Sequence, residues 1–187
     1  MDYRKDCLTV GRLKQFVEYD PETGIFTWKP REVNSKADKI WNTRFSGKEA
    51  GTKGSKYVTI AIYEEEFRAH RLAYLYMNGV WPSQLIDHIN GDPRDNRWEN
   101  LRIASKSQNA ANAGLWGHNR SGVKGVSWCK CTNRWRAIIR FKGKNYRLGR
   151  FDSKEEAGEA YRAAADRFFG EYSWDKGVGL CRAQSLE

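Results

Sequence analysis

The chain has 187 residues, a formal net charge of +10 at pH 7 and 13% aromatic residues, enough core-forming material for one ordinary domain or two small ones and too much for a disordered tail. No run of about 18 apolar residues occurs, and the charged start Met1-Asp2-Tyr3-Arg4-Lys5-Asp6 has no apolar segment behind it, so neither a membrane span nor a secretory signal is expected and a cytoplasmic location follows. The charge is concentrated: Leu101 to Phe151 holds twelve Lys or Arg and no Asp or Glu, while the remainder sums to −2, a block that attracts a polyanion at low salt.

The predicted elements begin with a helix over Thr9 to Glu18, where Val10, Leu13, Phe16 and Val17 recur at helical spacing behind Thr9 as cap. Asp20-Pro21-Glu22-Thr23-Gly24 turns the chain into a strand, Ile25-Phe26-Thr27-Trp28. Residues 30–56 are polar and irregular, a loop that either tracks DNA or is merely flexible. Strands are expected at 57–62 and 67–69 across an acidic turn Glu64-Glu65-Glu66, then an apolar helix from Arg71 to Met77 closed by Asn78-Gly79. His70, ahead of that helix, reads as a structural or capping histidine.

Leu85-Ile86-Asp87-His88 has the apolar approach of a strand and Leu101-Arg102-Ile103 the make-up of its partner, so the polar segment between is a loop pinned at both ends. Ser105 and Gln108 form a capping box that starts a helix carrying Asn109 in or just past its first turn. After a glycine-bearing linker at 114–122, strands are expected at about 124–129, 134–141 and 145–151. A helix over 154–169 follows a second capping box, Ser153-Lys154-Glu155-Glu156, with Ala157, Ala160, Tyr161, Ala164, Ala165 and Phe168 as the stripe that lies on the sheet.

The run Asp87-His88-Ile89-Asn90-Gly91-Asp92-Pro93-Arg94-Asp95-Asn96-Arg97-Trp98-Glu99-Asn100-Leu101, with Asn100 twelve positions after His88 and Asn109 nine further on, resembles the HNH endonucleases of the phage and intron homing type, in their variant with asparagine at the last position. His70-Arg71-Leu72-Ala73 resembles the string that precedes the motif in that subtype. The resemblance implies a ββα-metal module in which Asp87 and Asn109 are metal ligands and His88 is the general base. Asn100 would hold the loop and orient the His88 ring. Two hard oxygen ligands suit Mg²⁺ or Mn²⁺ better than zinc, and so short a ligand set implies affinity that is weak until DNA supplies phosphate oxygens. An imidazole titrates near working pH, as a proton acceptor must.

Downstream, Gly125-Val126-Ser127-Trp128, Trp135-Arg136-Ala137-Ile138-Ile139, Leu148-Gly149-Arg150-Phe151 and the Glu155 to Ala165 helix resemble the ethylene-response-factor (Apetala-type) DNA-binding domain. Strand alternation turns Trp135, Ala137 and Ile139 towards the helix and leaves Arg134, Arg136, Ile138 and Arg140 on the opposite face. The resemblance adds Lys124, Ser127 and Arg147 to the DNA-binding set. Trp128 and Trp135 read as core residues rather than base-stacking ones.

The expected fold class is therefore α+β: an HNH nuclease domain with an N-terminal helix and strand extension over 1–113, a linker at 114–120, a three-stranded antiparallel sheet packed on one helix over 121–173, and a tail at 174–187. The expected function is metal-dependent hydrolysis of double-stranded DNA by a homing-like, site-directed nicking enzyme. A single centre without an evident dimer helix points to a monomer with no evident protein partner. The competing readings are a non-catalytic DNA-binding regulator that keeps the HNH scaffold and, on charge alone, an RNA-binding protein. Cysteines at 7, 129, 131 and 181 make no C-x-x-C pair and are expected as thiols; Cys129 and Cys131 flank one residue on a strand and face the same way, a weak metal signal.

Overall fold

A computed structural model describes residues 8–54, 56–115 and 117–174. Cys7, Cys181 and the expected tail beyond Trp174 lie outside the described residues. The chain divides into two compact units, Met1–His88 with Asp92–Ile103, and Ile89–Gly91 with Ala104–Glu187.

In the first unit, α1 (Val10–Phe16) is capped by the Thr9 side chain, which accepts from the Arg12 N–H. It is shorter than its apolar spacing predicts. The β-branched Val17 leaves the helix at φ −135° and opens β1 (Val17–Tyr19), which pairs antiparallel with β2 (Phe26–Trp28). The turn between them is built around Gly24 at φ +72°, where a Cβ would collide with the backbone of Asn96 and Arg97. That close approach fastens the later polar loop: Tyr19 Oη donates to Asn96 O at 2.7 Å and the Trp98 N–H to Pro21 O at 2.9 Å.

The segment expected to be irregular contains a helix, α2 (Lys36–Phe45), capped by Ser35. Its periodicity is masked because it buries no residue. Local contacts hold it instead: the Asn42 carboxamide exchanges two hydrogen bonds of 2.8 Å with the Arg31 backbone, and the Arg31 guanidinium lies 3.8 Å from the Trp41 ring centre.

Strand β3 (Thr52–Lys53), β4 (Val58–Ile62) and β5 (Glu65–Arg68) make an antiparallel sheet in that order. The β4–β5 turn is a tight two-residue one at Tyr63-Glu64, both at positive φ, so Glu65 and Glu66 belong to the strand and not to the expected acidic turn. Helix α3 (Ala69–Asn78) begins two residues earlier than predicted, taking His70 into its first turn, and ends on Gly79 in the left-handed conformation. Leu13, Val17, Phe26, Ile60, Leu72 and Leu75 form the core of this unit. Strands β6 (Leu85–His88) and β7 (Leu101–Ala104) pair, with a short 3-10 turn, Trp98–Asn100, just before β7.

The second unit holds α4 (Lys106–Asn112), started by the predicted Ser105/Gln108 capping box, and the antiparallel sheet β8 (Val126–Cys129), β9 (Arg134–Phe141) and β10 (Lys144–Phe151). Helix α5 (Lys154–Phe169) lies on it, its Ser153 cap accepting from the Glu156 N–H. Val126, Ala137 and Ala157 form one part of the core, and Ile139, Ala165 and Phe169 another, which Ala111 of α4 joins. The fold is mixed α and β with a three-stranded sheet packed on one helix, as the sequence predicts. Trp128 departs from its expected place. It touches the Trp135 ring edge-on at 5.2 Å, but on edge strand β8 it is left 46% exposed.

Candidate functional site

Seven polar residues are buried among the described residues, and five of them, His70, Asp87, His88, Asn96 and Asn100, belong to the first unit. Burial of polar groups at this density is costly unless each is balanced, so their partners define the site.

Asp87 and His88 end β6, both buried. The Asp87 carboxylate is held by Arg102 of β7, whose Nε and Nη2 both lie 2.9 Å from Oδ2. Arg102 was not anticipated; it sits two residues beyond the motif's asparagine, where a lone arginine on a strand carries no signal of its own. Burial lowers the His88 pKa, opposed by a side-chain hydrogen bond with Asn96 and by the charges of Asp87, Asp92 and Asp95. The imidazole is thus neutral and surrounded by negative charge, the electrostatic setting of a proton acceptor.

Asn100 ends the 3-10 turn with its Nδ2 donating to Asp95 O at 2.8 Å. The neighbouring carboxylate of Asp95 is tied to Arg97 by contacts of 2.8 to 3.2 Å, so the loop is closed on itself at two levels. The residue placed against His88 is Asn96, whose Nδ2 also donates to Arg94 O at 3.0 Å. In sequence Asn96 lies within the motif run but carries no role of its own.

His70 is the second surprise. Its ring meets that of His88 edge-on at 5.1 Å between centres, with the Tyr57 ring 5.4 Å from His70 and 6.4 Å from His88. Burial, together with His88, Arg68 and Arg71, holds its pKa down at about 3, so it is a neutral wall of the His88 pocket. Expected as a structural or capping histidine, it is buried against the candidate base, a neighbour that linear spacing could not reveal.

Asn109 belongs to the second unit, half-buried in the first half of α4. Among the described residues no group of three or more His, Cys, Asp or Glu forms a metal cage. The two residues expected as ligands fall in different units, the Asp87 carboxylate in the first and the Asn109 carboxamide in the second.

On the second unit's sheet, cross-strand register places Ser127 opposite Arg136 and Cys129 opposite Arg134, with Ile138 opposite Arg147, Arg140 opposite Asn145 and Arg136 opposite Arg150. Arg134, Arg136, Arg140, Arg147 and Arg150 are all exposed. Arg150 was missed because alternation alone sends residues 147 and 150 to opposite faces. A bulge between Arg147 and Gly149, with Gly149 at φ +148°, brings both to one face. Arg136 Nη2 donates to Ser127 Oγ at 3.3 Å, and Arg134 pairs with Asp152 at 3.0 Å in solvent, a contact worth little against a phosphate. Lys124 stands apart from this set. Its Nζ donates to Ala110 O at 3.0 Å, Ala111 O at 2.6 Å and Ala113 O at 2.5 Å, sealing the carbonyl end of α4.

The chain belongs to the HNH endonuclease family and joins that domain to a DNA-binding AP2 domain. The HNH endonuclease profile matches residues 67–111 and the AP2 domain profile residues 121–171. Among curated relatives, protein 3.8 of Escherichia phage T7 is 34% identical over 96 residues, which cover 51% of this chain and 79% of that protein. The uncharacterized HNH endonuclease L560 of Acanthamoeba polyphaga mimivirus is 29% identical over 110 residues, 58% of this chain and 56% of the mimivirus protein. No solved structure shows significant similarity. HNH nucleases generally use a divalent metal ion, and no described helix is long and apolar enough to cross a membrane.

Proposed function

We propose that the protein is an Mg²⁺- or Mn²⁺-dependent endonuclease that hydrolyses a phosphodiester bond of double-stranded DNA, nicking one strand as a monomer at a site chosen by its C-terminal sheet. The observation that carries this reading is the buried neutral His88, flanked by carboxylates, within the segment that matches the HNH family. His88 takes the proton from the attacking water. Asn96, the His70 ring and Tyr57 confine the imidazole, while Asn100 keeps the loop closed through Asp95. Asp87 and Asn109 would hold the cation, with Arg102 orienting the carboxylate. Once bound, the ion supplies positive charge to the phosphate oxygens as negative charge builds.

The second unit contributes grip. Ser127, Arg134, Arg136, Arg140 and Arg147, with Arg150 added, present donors to phosphates and to guanine edges in the major groove. Lys124 is assigned to α4 instead. A phage-type or homing role and a host-cell cytoplasm agree with the viral origin of the two relatives.

The test is plasmid nicking with Mg²⁺, with Mn²⁺ and with chelator, on duplexes labelled in each strand, comparing wild type with His88→Ala. Metal-dependent cuts confined to one strand and absent from the variant are expected. One observation favours a non-catalytic DNA-binding regulator: Arg102 already neutralises Asp87. That reading prevails if wild type binds duplex DNA but leaves it intact with either metal.

A further inference from the structure

Cys129 ends β8 and Cys131 lies in the following turn, where their sulfurs approach to 2.9 Å. Both are free thiols, Cys131 exposed and Cys129 half-exposed. Neither takes part in the chemistry assigned above. Two thiols held in contact, both open to solvent, satisfy the access and proximity that sulfur exchange needs and that isolated cysteines lack. The turn keeps them there: Thr132 N–H donates to Cys129 O at 3.3 Å, and Asn133 at φ 45° returns the chain into β9.

We propose that Cys129 and Cys131 form an oxidisable dithiol on the DNA-facing side of the sheet, converted by a hydroperoxide to an intramolecular disulfide when DNA is absent and shielded when DNA is bound. The shielding part rests on the proposed DNA face; the oxidation part does not. The hydrogen bond between the sulfurs, aided by Thr132, holds the Cys129 thiol down at about 7, while the same bond pushes Cys131 up. Cys129 is therefore the nucleophile and Cys131 the resolving thiol.

The Cys129 thiolate attacks the outer oxygen of the hydroperoxide, breaking the O–O bond. This leaves Cys129 as a sulfenic acid and releases an alcohol after protonation. The Cys131 sulfur then attacks Cys129 Sγ, losing its proton as hydroxide departs, so water leaves. In sum, two thiols and one hydroperoxide give one disulfide, one alcohol and one water.

Cys129 stands opposite Arg134 in the β8–β9 register. Directly opposed residues share a sheet face, so DNA lying over Arg134 and Arg136 covers Cys129 too.

The experiment uses the full chain with Cys7→Ser and Cys181→Ser, leaving two thiols, treated with hydrogen peroxide with and without short mixed-sequence duplex DNA at low salt. In the free protein both thiols are expected to vanish together, with loss of the mass of two hydrogen atoms, no covalent dimer, and full recovery in dithiothreitol. Adding Cys131→Ser should stop the reaction at a dione-trappable sulfenic acid on Cys129. Bound DNA should slow oxidation by about fivefold or more through lost access. Thiols that persist in the free protein, or intermolecular disulfides, overturn the dithiol site. Oxidation at an equal rate with DNA shown to be bound leaves the dithiol intact and overturns its placement under DNA.

Discussion

The two units treat their polar residues in opposite ways. In the first, Asp87, His88, Asn96 and Asn100 are each 4 to 6% exposed and each engages a defined group. In the second, five arginines stand out from one sheet face into water. Proton transfer requires a fixed geometry and a tuned proton affinity, which burial provides. Attraction of a polyanion works at long range and benefits from exposed charge whose counterions are released on binding. The contrast predicts that damage to the first unit shows in chemistry and stability, and damage to the second in affinity and its salt dependence.

The largest effect is expected from His88→Ala, which should reduce the single-turnover cleavage rate by about 10²- to 10⁴-fold, the range for loss of a general base, while duplex affinity changes little in a gel-shift titration. A parallel loss of binding would merge the roles of the two units. Arg102→Met comes next. It strands the Asp87 carboxylate in a buried setting and should cost about 3–5 kcal/mol in denaturant unfolding. The double variant Arg102→Met with Asp87→Asn should recover much of that, and its failure to do so would mean that Arg102 stabilises by packing alone.

Acid sharpens the same contrast. His70 has its pKa near 3 in the folded protein against 6.5 as the ordinary value, so its contribution to stability is whole above pH 6.5. As pH falls towards 3 the unfolded chain takes up a proton that the folded one refuses. Stability should then decline by up to about 1.4 kcal/mol per pH unit from this group, and His88 adds to the slope in the same direction. Thermal unfolding of His70→Gln between pH 7 and 4 should show a shallower decline; an unchanged slope would place the titration elsewhere.

The smallest effects on the fold belong to the sheet. Arg136→Ala, Arg140→Ala and Arg147→Ala should each shift stability by no more than about 0.5 kcal/mol. Each one that contacts a phosphate should lower the slope of log affinity against log salt by about one. Lys124→Met should instead lower the melting temperature through loss of its three carbonyl partners and leave that slope unchanged.

Elements with strong periodicity or marked ends were legible: the apolar helix closed by Gly79, the Ser105/Gln108 box, the three strands and long helix of the C-terminal sheet. Helix α2 was not, because it is fastened by Trp41, Arg31 and Asn42 and buries nothing. Trp128 was misplaced because alternation says which side of a sheet a residue faces but not how far the helix covers it.

Resemblance to the HNH endonucleases, carried by intervals that survive in one dimension, singles out Asp87, His88, Asn100 and Asn109 as candidates, and the first three are buried in the first unit. The surroundings of those residues were settled by folding. His70 reaches His88 from helix α3, Arg102 reaches Asp87 across a strand pair, and a single bulge turns Arg150 to the face of Arg147. The physical reason is that burial, ion pairing and strand register depend on segments distant in the chain meeting in space, and no interval counted along it contains that information.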